Sequence, residues 1–78
     1  MLSAHALTRM QQRGIPAAVV DDLLDWGRAV HDHRGAEIFF FDRKARAATR
    51  RSSSAYLVVS TDGTVITVGH RVRRLPRS

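Results

Sequence analysis

The sequence AYLVVSTDGTVITVGHRV, residues 55–72, decides the fold, because it contains two apolar stretches joined by a tight turn. Residues 55–60 and 65–72 are rich in valine, with isoleucine and tyrosine, and this composition is typical of β-strands. Between them, the Asp62–Gly63 pair is favoured in hairpin turns. Strands joined by so short a turn pair antiparallel, so the stretch predicts the last two strands of an antiparallel sheet.

Two more strands and a second turn are predicted before this hairpin. RAVHDH (residues 28–33) and IFFFD (residues 38–42) both fit strands, and RGAE (residues 34–37) fits the turn between them. The segment that follows, RKARAATRRSSS (residues 43–54), is polar and basic and shows no apolar face. We expect it to form a flexible loop or a frayed helix between the second and third strands.

Two helices are predicted at the N-terminus. Ser3 is a favoured N-cap for a helix over residues 4–13, and Gly14 supplies the left-handed residue that ends it. Pro16 stands at the first turn of a second helix, which runs to about residue 26. Two helices followed by four strands predict an α+β domain, in which both helices pack on one face of a four-stranded antiparallel sheet.

The whole chain, residues 1–78, is short enough to form a single domain with a thin core. It contains no cysteine, which excludes disulfides and thiolate metal sites. The first residues lack the pattern of a secretory signal, and the longest apolar runs, such as Ile38 to Phe41, are far too short to span a bilayer. We therefore expect a cytoplasmic protein without a membrane partner.

The charge of the chain indicates a polyanionic partner. Thirteen lysine and arginine residues stand against seven acidic residues, which gives a net charge of +6, and all but one of the thirteen are arginine. Arginine binds phosphate with a planar fork, whereas lysine offers only a point charge. Nucleic acid is the polyanion that this balance favours. The alternative is that the charge only keeps the protein soluble.

Three polar side chains lie in one line on the first predicted helix. His5, Arg9 and Arg13 fall within one arc because they are four residues apart. Like charges at this spacing repel mildly, and a bound phosphate would relieve the repulsion because the helix contains no carboxylate. The alternative is a solvated face, or pairing of these arginines with the acids of the second helix. Those acids are Asp21, Asp22 and Asp25.

The last strand repeats these residue types. Alternation along a strand places two sets of side chains on opposite faces. Thr67, Gly69 and Arg71 form the set that we expect to face a ligand, and Gly69 would let a phosphate or a base approach the backbone. The other set is expected to face the core, with His70 partly buried. Its members are Ile66, Val68, His70 and Val72.

Three stretches together resemble a known family: HALTRMQQRGI (residues 5–15), AAVVDDLL (residues 17–24) and VITVGHR (residues 65–71). The resemblance is to a small bacterial domain family of unassigned function, whose first helix has the signature HAxxRMxxRGI. That family is similar in layout to the RelE, ParE and BrnT toxins and to other members of the barnase–EndoU–colicin–RelE group.

This resemblance implies a RelE-like fold and a function directed at RNA, because many of those toxins cleave RNA without a metal. Residues His5, Arg9 and Arg13 match the signature of the first helix. Thr67 and Arg71 match the late strand. The resemblance also implies that a small acidic antitoxin-like protein is a partner.

Metal-independent RNA cleavage would give these side chains simple roles. His5 would accept the proton of the 2′-hydroxyl group, and His70 would be the acid if its ring reaches the same cleft. The scissile phosphate would be held by Arg9, Arg13 and Arg71. The alternative is a non-catalytic module that binds nucleic acid or protein, for instance an inhibitor that acts through its arginines.

Two basic segments are further candidates for contact with a nucleic-acid backbone, with binding that weakens as salt rises. The first is the segment of residues 43–54, and the second is the tail after the last strand. Their cations are Arg43, Lys44, Arg46, Arg50, Arg51, Arg73 and Arg74. The alternative is that both segments are solvated and unstructured.

Metal binding and base stacking are the remaining possibilities. His31 and His33 share one face of the first predicted strand, at a spacing that can bind a transition metal. No third ligand is evident in the sequence, so we expect no metal and no cofactor. The aromatic residues are expected to fill the small core, and only outward members of the run Phe39–Phe41 could stack on bases.

Overall fold

The computed structural model describes residues 1–32, 34–51 and 53–71. The elements in chain order are α1 (Ala4–Arg13), α2 (Ala17–Trp26), β1 (Arg28–His31), β2 (Glu37–Phe40), α3 (Arg43–Thr49), β3 (Ala55–Val59) and β4 (Val65–His70). The predicted α+β class, with two N-terminal helices before a four-stranded antiparallel sheet, is confirmed, and α3 is an addition to it. Within these ranges, no helix has the length and apolar character needed to cross a membrane.

The ends of α1 and α2 follow from local chemistry. The Oγ atom of Ser3 accepts a hydrogen bond from the Ala6 amide at 3.0 Å, which caps α1 as predicted. Gly14 ends α1 in the left-handed conformation, at a φ of 64°. Gly27 lets the chain turn from α2 into β1, because a Cβ there would lie 2.4 Å from the carbonyl oxygen of Leu23.

One face of the sheet packs against α1 and α2, and α3 packs against α2. The strands pair in chain order, and their register aligns Ala29, Phe39, Leu57 and Val68 in one cross-strand row. The core combines residues of this face with residues of the helices and of the loops beside them. Its buried members are Ala6, Met10, Ile15, Val19, Val20, Leu23, Phe41, Ala45, Ala55, Leu57, Val59, Val65 and Val68. We call this face of the sheet the helix-side face.

The opposite face consists of two cross-strand rows. The rows are Arg28, Phe40, Tyr56, Gly69 and Val30, Ile38, Val58, Thr67. We call these eight residues the helix-free face, because the core places the three helices on the other side of the sheet. Apart from Arg28, which is exposed, and Gly69, which is buried, the members of the helix-free face are half-buried.

A register shift between Val58 and Val59 changes which residues of β4 face the core. Val59 pairs with Val65, whereas the preceding residue of β3 pairs with Thr67. Ile66 is therefore an extra residue in β4, as in a β-bulge. Val65 is 2 % exposed and Ile66 is 39 % exposed, so the prediction that Ile66 faces the core is wrong.

The first part of the basic segment after β2 is a helix with a buried side chain, so of the two expected forms, loop or frayed helix, the helix is the one that the structure shows. The Asp42 carboxylate accepts a hydrogen bond from the Ala45 amide at 2.8 Å and caps α3. Ala45 is 1 % exposed and belongs to the core. The prediction that this segment has no buried face is therefore wrong, because a single alanine anchors α3 and gives no apolar periodicity.

Candidate nucleic-acid interface

Helix α1 and strand β4 lie side by side and run in the same direction. At one end, the Ser3 amide donates to the carbonyl oxygen of Val65 at 2.9 Å, and the Val65 amide donates to that of Met1 at 2.8 Å. At the other end, Nε2 of His70 lies 3.2 Å from the carbonyl oxygen of Arg13. The structure thus gives the juxtaposition of the first helix and the last strand that the expected phosphate site requires.

The polar residues of α1 have no carboxylate partner in the described ranges. His5 and Arg13 are exposed, and Arg9 is half-buried. Asp22 of α2 pairs with Arg51 and not with either arginine of α1. The alternative in which the aspartates of α2 neutralise α1 is therefore not what the structure shows.

His70 acts as a structural link between α1 and the start of β3. Its Nε2 contacts the carbonyl oxygen of Arg13, and its Nδ1 lies 3.0 Å from Oγ of Ser54. A carbonyl oxygen only accepts, so Nε2 carries the proton and donates to it. This bond satisfies one of the carbonyl groups that the end of a helix leaves unpaired. His70 shares the face of Val68, as predicted, but it is exposed and not partly buried.

The two histidines of the expected catalytic pair lie at opposite ends of α1. His70 contacts the last residue of the helix, Arg13, whereas His5 lies eight residues earlier. At the rise of an α-helix, that separation is about 12 Å along the axis. The structure therefore does not bring a general base and a general acid to one phosphate.

Arg71 lies on the other side of the sheet from the arginines of α1. Its guanidinium carbon is 5.4 Å from the centre of the Phe40 ring, which belongs to the helix-free face. Thr67 belongs to the helix-free face as well. The expected pocket, in which Arg9, Arg13 and Arg71 hold one phosphate, is therefore not formed.

Gly69 accommodates a tyrosine ring and not a ligand. A Cβ built on Gly69 would lie 3.1 Å from Cε1 and 3.2 Å from the hydroxyl oxygen of Tyr56. The ring therefore rests against the backbone of β4, at a position where any other residue would displace it. The prediction that Gly69 opens the backbone to a phosphate or a base is wrong, because Tyr56 fills that space.

The topology brings cations of several segments to one end of the sheet. Strand β1 begins there, β2 runs into α3 there, and β4 ends there beside the last turn of α1. We call the cations of this region the basic end. They are Arg13, Arg28, Arg43, Lys44, Arg46, Arg50 and Arg71. Among the described residues, none of them forms an ion pair, and all except Arg71 are exposed.

Three of the cations predicted to contact nucleic acid, Arg51, Arg73 and Arg74, are not part of the basic end. Arg51 is half-buried and its Nε pairs with Asp22, so it joins the chain after α3 to α2. Arg73 and Arg74 lie outside the described residues. Arg51 therefore contributes to the fold, and the basic end is defined without it.

Arg28 is the residue of this region that sequence analysis missed. It is exposed, and the register of β1 and β2 places it directly opposite Phe40. Arg71 lies over the same ring, and its Nε is buried without a hydrogen-bond acceptor among the described residues. Alternation along the predicted first strand was the signal that could have placed Arg28 on the face of Phe40.

The histidines of β1 give no metal site in the described part of the chain. His31 lies 3.7 Å from Glu37 on the neighbouring strand, measured from Nε2 to Oε2. His33 lies outside the described residues. Within those residues, no cluster of three or more histidine or acidic side chains is placed to hold an ion.

No protein-family model matches the chain, and no curated protein or solved structure is significantly similar to it. The resemblance to toxin-like domains therefore stays a prediction.

Proposed function

We propose that this chain binds RNA and holds its phosphate backbone with the guanidinium groups of the basic end. The observation that supports this function best is that separate segments of the chain bring their cations to one end of the sheet without a carboxylate partner. Guanidinium groups bind phosphate oxygens through parallel hydrogen bonds and do not lose their charge at any physiological pH. Such contacts fix the position of a backbone without selecting its sequence.

Binding without cleavage is the mode that the geometry favours. RNA cleavage without a metal needs an acid and a base close to one phosphate. Both ring nitrogens of His70 are already hydrogen-bonded, to Arg13 and to Ser54. His5 lies at the end of α1 that is far from the basic end. The RNA-directed function therefore does not depend on either histidine, and the toxin-like ribonuclease becomes the competing proposal.

A salt titration tests the proposed function directly. Binding of a short labelled RNA without secondary structure is followed by fluorescence anisotropy over about 50–200 mM salt, where backbone contacts weaken measurably. The logarithm of the affinity should fall with the logarithm of the salt concentration, with a slope of about −0.7 for each phosphate contact. Absence of binding at the lowest salt would refute the proposal.

Two charge reversals locate the contact. Arg46→Glu changes an exposed cation of α3 at the basic end, and Arg34→Glu makes the same charge change in the turn at the opposite end of the sheet. Arg46→Glu should weaken binding and reduce the magnitude of the salt slope by about 0.7, the value of one phosphate contact. Arg34→Glu should leave the slope unchanged, and equal losses in both variants would show that only net charge matters.

Two further experiments distinguish RNA binding from ribonuclease activity and from binding of an acidic protein. Incubation of the same RNA with the protein and with the His5→Ala variant should leave it intact in both samples. Fragments that appear only with the unaltered protein would establish the ribonuclease. Polyglutamate stands in for the acidic antitoxin-like partner, and binding to it as tight as to RNA at equal charge would favour a protein partner instead.

A further inference from the structure

The helix-free face combines aromatic rings with arginines in one row. Arg28, Phe40, Tyr56 and Gly69 follow one another across the four strands, and Arg71 lies over Phe40. Phe40 and Tyr56 are half-buried, although Phe41 and the side chains of the helix-side row from β3 and β4 are sealed in the core. The two rings are therefore partly exposed on this face, with the Arg71 guanidinium group over Phe40 and the exposed Arg28 opposite Phe40 on the edge strand.

We propose that the helix-free face binds unpaired bases of RNA, with Phe40 and Tyr56 as the stacking surface. This inference rests on the proposed function and names the part of the RNA that the fold selects. Bases of single strands stack on aromatic rings and on the plane of an arginine guanidinium group. Phe40, with the Arg71 guanidinium group over its ring, provides one stacking surface, and the Tyr56 ring provides a second.

The positions of the arginines fit a strand that crosses the sheet. Arg28 lies on one edge strand, and Arg71 follows the other. Adjacent strands are about 4.8 Å apart, so the backbone positions of these two arginines are separated by roughly 14 Å. The two aromatic rings lie on the two central strands between them. The Arg71 guanidinium group nevertheless reaches back to Phe40, directly opposite Arg28, so a phosphate would meet the cations at Phe40 while a base covers the neighbouring Tyr56 ring.

The Tyr56 ring is held in place before any ligand arrives. The missing side chain at Gly69 lets the ring rest on the backbone of β4, with its hydroxyl group toward that strand. Phe40 is held by the Arg71 guanidinium group on the same face. Rings that are already ordered lose little conformational freedom on binding, which favours stacking.

Single-stranded RNA fits the helix-free face better than a duplex or a second copy of the chain does. A duplex keeps its base faces stacked inside, so it can meet this surface only through phosphates. A second copy of the chain would bring the same arginines into opposition, with Arg28 and Arg71 facing cations of like sign. An RNA single strand supplies both the flat apolar surface and the negative charge.

The experiment compares a single strand with the matching duplex on the full chain at one salt concentration. The single strand should bind at least about tenfold more tightly, the effect of one to two stacked bases. Phe40→Leu should remove most of that preference without changing the salt slope, because no phosphate contact is lost. Phe39→Leu, the same substitution on the helix-side face, is the matched control and should change neither.

A second measurement keeps the inference testable if Phe40→Leu fails to fold. Tyr56 is the single tyrosine of the chain, so its ring protons are readily identified by nuclear magnetic resonance. Those resonances should shift upfield when the unaltered protein binds the single strand, because a stacked base shields them.

Three outcomes would overturn the inference, and they differ in what they imply for the proposed RNA binding. Equal affinity for single strand and duplex, with unmoved Tyr56 resonances, would leave RNA binding intact and remove base stacking. Self-association that Phe40→Leu abolishes would assign the face to a second copy. Absence of any RNA binding would remove the proposed function together with the inference.

Discussion

The two faces of the sheet are built from alternate residues of the same strands, yet they differ in burial. On the helix-side face, Leu57 is 0 % exposed and Val68 is 1 % exposed. On the helix-free face, their sequence neighbours Val58 and Thr67 are only half-buried. The comparison shows that apolar side chains on a strand do not by themselves identify the core, because the core also needs a second layer to cover them.

The helix-free face is therefore apolar without serving the core. One of its rows holds Arg28, the two aromatic residues and Gly69, and the other holds three aliphatic residues and Thr67. A sheet face that only meets water needs neither aromatic rings nor valines at these positions. The difference between the faces is what points to a ligand.

The largest effect is expected from one substitution made on both faces. Val68→Ala removes two buried carbons from the helix-side face and should cost about 2–3 kcal/mol of unfolding free energy. Val58→Ala removes the same atoms from the helix-free face and should cost about 1 kcal/mol. Urea denaturation of both variants measures the difference, and equal losses would show that the helix-free face is covered in solution.

A side chain at Gly69 tests how tightly the helix-free face is packed. Gly69→Ala places a Cβ 3.1 Å from Cε1 of Tyr56, so the ring must move, at a cost of about 1–2 kcal/mol. The same substitution in a Tyr56→Leu background should cost less, because the ring is absent. If both backgrounds lose the same stability, the contact between Tyr56 and Gly69 is not what makes the glycine necessary.

The fold class and the ends of α1 were predictable because they depend on local signals. Ser3 and Gly14 determine the ends of α1 by capping chemistry, and the Asp62–Gly63 pair identifies the last hairpin. Helix α3 was not predictable in the same way. Its anchor is Ala45 alone, and one alanine among basic residues gives no periodic apolar pattern.

The candidate site was predicted less well than the fold, for a physical reason. Alternation assigns residues of β4 to two faces only if the strand is regular, and the extra residue Ile66 interrupts it. Alternation does place Arg71 with Thr67 on the face away from the core, but α1 packs on the opposite face, so the guanidinium groups of α1 and Arg71 cannot converge on one phosphate. The placement of Phe40 beside Arg71 depends on the pairing of distant strands.

A smaller effect is expected at the junction that brings α1 onto the helix-side face. Oγ of Ser3 accepts from the Ala6 amide and also lies 3.3 Å from the carbonyl oxygen of Ile66, to which it donates. Ser3→Ala removes both bonds and should cost about 1 kcal/mol. Thr8→Ala removes a hydroxyl group that only contacts Ala4 within the same helix, and it should change stability by less than about 0.5 kcal/mol.

The smallest effect is expected at the turn that joins the two strands around the bulge. The Ser60 hydroxyl group donates to the Asp62 carboxylate, the Thr64 amide donates to it at 3.0 Å, and both hold the pKa of Asp62 below its ordinary value of 3.8. A lowered pKa in the folded state means that the carboxylate stabilises the fold above pH 3.8 and loses this contribution as the pH falls further.

Asp62→Asn should therefore lower the melting temperature slightly at neutral pH and by progressively less below pH 3.8, where the unaltered protein also loses the charge. Ser60→Ala removes the stronger of the two donors and should reproduce part of the same pH dependence. Melting curves of the three proteins at several pH values give the comparison. A loss from Asp62→Asn that stays constant into the acid range would show that the turn depends on the shape of Asp62 and not on its charge, and that the bulge is positioned by the strands alone.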